Sequence, residues 1–391
     1  MPRIVTLTGL FPSIVRPRHG IFVEERLRQL VDRGQVTASV MAPVPWFPWT
    51  HSRFGEYAKI ARTPTMDQRH GLDISYPRYL SIPKIGMSVA PLLLAAALIR
   101  PLRRLRRAHP DLALIDSHFL YPDGVAACIA GRILNIPVLM TARGSDVNLY
   151  KRWLIPRTLI RWAVRQSARV ITVSDALRDT LLALGAEPGK VLTLRNGVDL
   201  ERFKPMNRAA CRARLGVAGF TVISVGNLLP IKGHDLVIDA LRHLPDVTLL
   251  IAGDGPLRAT LEQQAKDLGV ADRVRLLGNL SQEELIAAYN AADLLVLASA
   301  REGMPNVVLE SLACGTPVVA TAVGGTPELL DGEVSGRLLN ERSAAAIAAA
   351  VQELLDHPRD RAVVRDYSLQ FAWEPTINGL TELMQAVATR T

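Results

Sequence analysis

Residues Leu294 to Thr321 leave little freedom in how this chain can fold. Leu294 to Ser299 (LLVLAS) is a continuous apolar run of strand length. The run breaks at Glu302-Gly303-Met304-Pro305-Asn306, and an apolar helix is expected from about Asn306 to Cys314. Gly315 then stops the helix before a second strand, Pro317 to Thr321. Proline near a first helical turn and glycine just past the last one are the expected start and stop marks. A strand–turn–helix–strand unit of this kind belongs to a parallel α/β sheet. Its turn directs Gly303, free backbone N–H groups and the positive end of a helix at one point, which suits an anionic, phosphorylated ligand. Two carboxylates bracket that point, Glu302 before the helix and Glu310 inside it. Carboxylates accept hydrogen bonds from hydroxyls but repel phosphate, so the pair suggests a ligand with hydroxyls on both sides of a phosphate. A nucleoside diphosphate sugar has that layout.

At these residues the sequence resembles the retaining glycosyltransferases of family 4, whose hallmark is two glutamates separated by seven residues in an E-G-x-x-N/L-x-x-x-E setting. The resemblance implies an α/β protein of the GT-B fold, two Rossmann-like doubly wound domains facing a central cleft. It implies an acceptor-side domain at 1–203, a nucleotide-sugar domain at 204–371, and a C-terminal helix at 372–391 crossing back. Closure about Asp199 to Arg208 is then expected to complete the site. The implied reaction moves a hexose from a UDP- or GDP-sugar to a hydroxyl of a glycan or lipid-linked acceptor in polysaccharide biosynthesis, with retention. The segment VGNL…KGHD resembles the teichuronic-acid type of polysaccharide transferase. Alternatives on the same architecture are a sugar-nucleotide epimerase or hydrolase, and a non-catalytic sugar-nucleotide-binding protein.

The remaining motifs can be read in chain order. Ile4 to Thr8 is an expected strand, and Gly20 opens a helix with Ile21, Val23, Leu27, Leu30 and Val31 on its apolar side. The resemblance gives this single-glycine loop a place near the donor diphosphate. PVPWFPW, Pro43 to Trp49, cannot be a regular helix; it is a structural loop or an acceptor-facing one. The strand Leu112 to Ser117 delivers His118 at its carboxyl end, where ligands gather in open α/β sheets. By resemblance His118 reaches the donor sugar. The next strand, Pro137 to Thr141, ends in Ala142-Arg143-Gly144-Ser145-Asp146, where similar transferases show His-Gly-x-Asp. Arg143 suits an anionic acceptor or a phosphate. Further strands are expected at Val170 to Ser174 and Val191 to Leu194, the latter leading to Asn196-Gly197-Val198-Asp199.

In the second half, strand Thr221 to Val225 leads into Gly226-Asn227-Leu228 and Lys232-Gly233. By resemblance Lys232 neutralises the leaving diphosphate, and Asn227 stands where the family pattern has an arginine. Gly253-Asp254-Gly255 opens like a dinucleotide fingerprint, but Arg258 occupies the third glycine position, which argues against an NAD enzyme. Ser281-x-x-Glu284 is a capping box, and by resemblance the backbone near Leu280 faces the nucleobase. The expected catalytic set is Glu302, His118 and Lys232. Expected donor contacts come from Glu310, Gly20, Asn227, Leu280, Gly303, Met304, Pro305, Asn306 and Val307. No Asp-x-Asp stands in a suitable loop, so no metal or other cofactor is expected.

Composition narrows the setting. A chain of 391 residues has two domains as its natural reading. Cys128, Cys211 and Cys314 are widely spaced and read as buried small residues in a reducing compartment. The N-terminus has no charged leader followed by a long apolar region, so no signal peptide is expected. The uncharged stretch Ile85 to Ile99, directly before a basic group, is shorter than the roughly 20 residues a bilayer span needs. The net charge of +9 is asymmetric: residues 1–200 carry 28 Lys and Arg against 14 Asp and Glu, and residues 201–391 carry 18 against 23. Arg100, Arg103, Arg104, Arg106 and Arg107 form one basic group, and Arg157, Arg161, Arg165 and Arg169 recur as a stripe. A basic helix beside an apolar stretch can dock on an anionic membrane, so a cytoplasmic protein peripheral to the inner face is one expectation and a merely solvated basic surface the other. Aromatics make up only 5% and no nucleic-acid motif is present, so nucleic acid is not an expected partner.

Overall fold

A computed structural model describes residues 1–81 and 86–389. The chain divides into two compact units, Met1–Arg195 with Glu374–Thr391, and Asn196–Trp373. The division falls a few residues earlier than the expected boundary at 203. Val198 N donates to Phe371 O, and the Arg365 guanidinium donates to the Leu200 and Phe203 carbonyls. The Met206 N–H donates to Asn290 Oδ1. Residues 196–206 are therefore bonded into the second unit rather than forming a free connection.

The strands of the first unit are β1 (Arg3–Leu7), β2 (Thr37–Met41), β3 (Val44–Trp46), β4 (Met66–Arg69), β5 (Leu72–Ser75), β6 (Arg78–Leu80), β7 (Leu112–His118), β8 (Val138–Ala142), β9 (Arg169–Thr172) and β10 (Val191–Thr193). Eight of them form one sheet in the order β10-β9-β8-β7-β1-β2-β5-β4. All its pairings are parallel except β4 with β5. The central strands are apolar because both faces of a parallel sheet are covered, and Ile4, Val5, Leu114, Ile115, Leu139 and Met140 are fully buried. The order reverses between β1 and β7, so their carboxyl ends open a crevice.

The PVPWFPW segment supplies the short strand β3, paired in parallel with β6 as a separate two-stranded sheet. Trp46 and Trp49 of that segment are exposed. A helix over Gly86–Ala108 runs through both Pro91 and Pro101. It survives them because Leu94, Ala95, Leu98 and Leu102 recur on one face and are buried, so packing outweighs the lost backbone bonds. Ile85, the start of the uncharged stretch, lies outside the described residues. Among the described residues no helix is long and apolar enough to cross a membrane.

The second unit contains β11 (Phe220–Val225), β12 (Val247–Ala252), β13 (Val274–Gly278), β14 (Leu294–Leu297), β15 (Val318–Thr321) and β16 (Gly336–Leu339). They pair in parallel throughout, in the order β13-β12-β11-β14-β15-β16. This is a doubly wound arrangement, with its switch point between β11 and β14. Leu294, Leu295 and Val296 are fully buried, as a strand covered on both faces must be. The helix Gln282–Ala291 starts with the expected capping box: Glu284 N donates to Ser281 Oγ, and Ser281 N donates to Glu284 Oε2. Cys128, Cys211 and Cys314 are all free and buried.

Candidate active site

The loops after β11 and β14 flank the switch point of the second sheet and carry most of the expected donor-side residues. After β11 the chain passes Gly226 and the exposed Asn227, then turns through Pro230–Lys232 into the helix His234–Ala240. After β14 it passes Glu302 and Gly303 and enters the helix Asn306–Ala313, with Pro305 as the residue before it. The Ala300 N–H donates to Ile231 O at 2.8 Å, tying the two loops together. Lys232 Nζ then lies 2.6 Å from Glu302 Oε1. The Gly303 carbonyl accepts from the Gly325 N–H at 2.9 Å. Gly324 has φ 56°, and a Cβ there would sit 2.0 Å from the Glu302 carbonyl oxygen, so only glycine lets the loop after β15 support Glu302 this closely.

Glu310 projects from the second turn of the same helix. Its Oε2 accepts from the Tyr289 hydroxyl at 2.9 Å, and Tyr289 is fully buried. Burial first, and then the neighbouring carboxylate, hold the Tyr289 hydroxyl protonated well above the usual phenol range. Tyr289 is thus a fixed donor that orients Glu310. Asn306 Oδ1 accepts from Asn196 Nδ2 at 2.9 Å, which fixes the mouth of the helix. Asn306 and Val307 occupy the first helical turn, where backbone N–H groups have no partner within the helix. Met304 and Pro305 are buried and shape the turn, whereas Val307 is half-buried. Leu280 is half-buried just beyond β13, at the same end of the sheet. Among the described residues no group of three His, Cys, Asp or Glu side chains could hold a metal ion.

A polar knot sits at the corresponding end of the first sheet. Gly20 has φ 77°, and a Cβ there would lie 2.2 Å from the Leu10 carbonyl oxygen, so the helix start and the loop after β1 can meet only at a glycine. His118 ends β7, and its ring is 1% exposed. Arg143 Nη2 lies 2.8 Å from His118 Nδ1, and His118 Nε2 lies 3.1 Å from Asp116 Oδ2. Since a guanidinium only donates, Nδ1 accepts and Nε2 carries the proton toward Asp116. Arg26 donates to the other Asp116 oxygen at 3.2 Å and to Thr141 Oγ1 at 2.9 Å.

Burial, reinforced by Arg26 and Arg143, lowers the His118 pKa to about 3 against the pull of Asp116. Burial alone would raise Asp116, but Arg26, His118 and Arg143 outweigh it and hold it at about 2. Burial and the Arg26 charge lower Arg143 to about 9. The family resemblance places the donor sugar at the His118 ring. Both ring nitrogens are engaged, so a ligand could reach the ring only by displacing Asp116 or Arg143. Arg143 is itself buried, with its guanidinium 5.0 Å from the Phe22 ring centroid.

Asp146 accepts from the N–H groups of Leu120, Arg143 and Gly144, and Asp123 Oδ2 accepts from Gly9 N at 2.7 Å. Burial, and then Asp146, raise Asp123 to about 7 although the Gly9 bond opposes the shift. Between its unfolded value of 3.8 and about 7, folded Asp123 holds a proton that the unfolded chain has lost, so its contribution to stability falls as pH rises. His118 runs the other way: between 6.5 and about 3 only the unfolded chain is protonated, so stability falls as pH falls. The two slopes oppose each other over their shared range. Asp123→Asn removes one of them, and its stability relative to wild type should climb with pH by about 1.4 kcal/mol per unit across that range. Urea unfolding at a series of pH values checks this; a constant difference would mean that Asp123 is ionised in the folded protein.

Sequence reasoning did not find Tyr289 and Asn196 as supports of the helix that holds Glu310, nor Arg26 and Asp116 as members of the cluster around His118. Asn196 lies within the NGVD segment and so had a local signal. Tyr289 sits in the middle of a helix with none. The stripe ending at Arg169 also needs amending: the helix Leu154–Gln166 carries Arg157, Arg161 and Arg165, but Arg169 begins β9.

Residues 22–202 match Glycosyltransferase Family 4, and residues 214–371 match Glycosyl transferases group 1. The chain belongs to glycosyltransferase family 4. The transferase is 29% identical to TuaC of Bacillus subtilis, a glycosyltransferase assigned to teichuronic acid biosynthesis, over 98% of this chain and 94% of that one. It is 36% identical to the D-inositol 3-phosphate glycosyltransferase of Saccharomonospora viridis over 58% of each chain. Among solved structures it is similar to sucrose-phosphate synthase from Thermosynechococcus elongatus, with a TM-score of 0.79, 20% identity and full coverage of both chains. It is also similar to HepE of Anabaena in complex with UDP-glucose, with a TM-score of 0.74, 21% identity, and coverage of 99% of this chain and 100% of that one. These likenesses identify the architecture as GT-B and the protein as an enzyme that transfers glycosyl groups.

Proposed function

We propose that the transferase moves a hexosyl group from a UDP- or GDP-sugar to a hydroxyl of a glycan or lipid-linked acceptor in cell-surface polysaccharide assembly, with retention at the anomeric carbon. The observation that carries this reading is the meeting of Lys232 and Glu302, 70 residues apart in sequence, at the mouth of the helix that holds Glu310. HepE was solved with UDP-glucose, which favours a uridine nucleotide, and TuaC supports a polysaccharide product. In this reading Glu310, steadied by Tyr289, accepts from the ribose hydroxyls, and Glu302 accepts from the hexose hydroxyls. Lys232 and the N–H groups of Gly303, Met304, Asn306 and Val307 hold the diphosphate, with Asn227 donating beside them and the backbone near Leu280 meeting the base.

The bond between the anomeric carbon and the phosphate oxygen breaks, and the acceptor oxygen bonds the same face of that carbon. The acceptor proton passes to the departing phosphate oxygen. Lys232 and the helix-mouth amides gain strength as negative charge grows on that oxygen, so they stabilise the transition state more than the bound donor. The proposal requires no metal. On the acceptor side, Gly20 lets the loop after β1 close on the helix that follows. His118 acts by holding the Arg143 guanidinium in place for an anionic group.

A thermal-shift screen against nucleotide diphosphate sugars, with Glu310→Ala alongside, tests the donor assignment. Donor at a hundredfold excess over its Kd should stabilise the wild type by about 2.7 kcal/mol and the variant far less. Equal shifts in both proteins would remove Glu310 from the donor site. Radiolabelled transfer with and without acceptor then separates a transferase from a hydrolase, which would consume donor in either case.

A further inference from the structure

We infer that the segment Leu149 to Arg165 is a wedge by which the first unit docks on an anionic lipid bilayer. Trp153, Leu154 and Ile155 are consecutive and are 65%, 70% and 51% exposed. Single exposed apolar residues are common on protein surfaces, but three large ones in a row form a contiguous patch that calls for a partner. The patch is held firmly. On one side the Tyr150 ring packs 4.9 Å from the Tyr121 ring, and on the other Pro156 and Ile160 are buried. Trp153 is extended at the start of the helix Leu154–Gln166, and the Arg157 N–H donates to its carbonyl. The three side chains are therefore presented by a fixed helix start.

The surrounding charge selects the occupant. From Val147 to Ser174 there is no acidic residue, while Lys151, Arg152, Arg157, Arg161, Arg165 and Arg169 are all basic. Arg157, Arg161 and Arg165 are exposed on the outer face of the helix, opposite the buried Ile160, Ala163 and Val164. A tryptophan–leucine–isoleucine tip flanked by long cations matches a bilayer interface: the tip enters the acyl boundary, and the cations reach the phosphates of anionic lipids. The arginines from Arg103 to Arg107 are exposed too, but no strongly exposed apolar residue adjoins them in sequence, so they offer charge without an insertion element.

Vesicle flotation of the full-length protein, without any sugar nucleotide, tests this independently of the donor chemistry. Wild type should float with vesicles of phosphatidylcholine containing about one-third phosphatidylglycerol, and much less with phosphatidylcholine alone. Replacing Trp153, Leu154 and Ile155 together with serine should lower partitioning at least about tenfold, with an unchanged melting temperature because all three are exposed. Brominated acyl chains should quench wild-type fluorescence and leave Trp153→Phe largely unaffected. Flotation of the triple variant at the wild-type level would overturn the inference, and so would failure of the wild type to bind anionic vesicles. So, too, would a wild-type oligomer that the triple variant converts to monomer while neither binds vesicles, since the patch would then join copies of this chain.

Discussion

Lys232→Ala should lower turnover at saturating donor by about 100- to 1000-fold, the usual cost of losing one strong donor to developing charge. The lysine ammonium is within 2.6 Å of Glu302 and stands with the helix mouth at the carboxyl end of the central strands. Asn227 can donate a hydrogen bond but brings no charge, so within this loop Lys232 has no substitute. Lys232→Arg keeps the charge and should retain part of the activity, although a planar guanidinium cannot reproduce a compact ammonium. Initial rates at saturating donor decide the matter. A Lys232→Ala enzyme within threefold of wild type would mean that the backbone amides carry the leaving charge alone. Glu302 loses its ion-pair partner in the variant, so melting temperatures must be measured beside the rates to separate lost chemistry from a disturbed fold.

Arg26→Ala should destabilise the first unit by about 3–5 kcal/mol, because it strands a buried carboxylate. The Arg26 and Asp116 side chains are 4% and 1% exposed. Without Arg26, Asp116 keeps His118 as its direct partner and loses the charge that contributes most to holding it ionised. The doubly neutral Arg26→Met/Asp116→Asn protein should recover much of the loss, since it buries neither charge. Removing Arg26 also removes one of the charges that hold His118 neutral, so the imidazole should titrate at higher pH in Arg26→Ala, visible in ring proton shifts. A destabilised variant with unchanged His118 titration would mean that Arg26 acts through packing alone.

The second sheet was largely legible from sequence because its strands are runs such as Leu294 to Leu297, buried on both faces, each followed by a glycine-bearing loop. The capping box at Ser281 was visible for the same reason: its chemistry is confined to four neighbouring residues. The region from Thr37 to Leu80 was not read as strands. Its elements are short, β4 alternates exposed and half-buried positions, and β3 lies inside a proline-rich segment whose pairing with β6 is a long-range property. The site divides in the same way. Glu302 and Glu310 declare themselves by their spacing across one turn and the helix that follows it, whereas Tyr289 becomes the support of Glu310 only through a hydrogen bond between two helices. His118 was found by its place at a strand end. That place does not disclose that Asp116, two residues earlier, and Arg143, on the neighbouring strand's loop, would take both ring nitrogens.

The return of the chain to the first unit sets an order of events during synthesis. The helix Trp373–Ala388 has Ile377, Leu380 and Met384 buried, its Thr376 hydroxyl donates to the Arg195 carbonyl at 2.6 Å, and its Gly379 lies against Leu194. The second unit is continuous in sequence and can close as soon as Trp373 leaves the ribosome. The first unit must wait with the flank of its sheet uncovered until the last helix emerges. The unit that is begun first is finished last, and a nascent chain halted anywhere before that helix carries an incomplete amino-terminal domain.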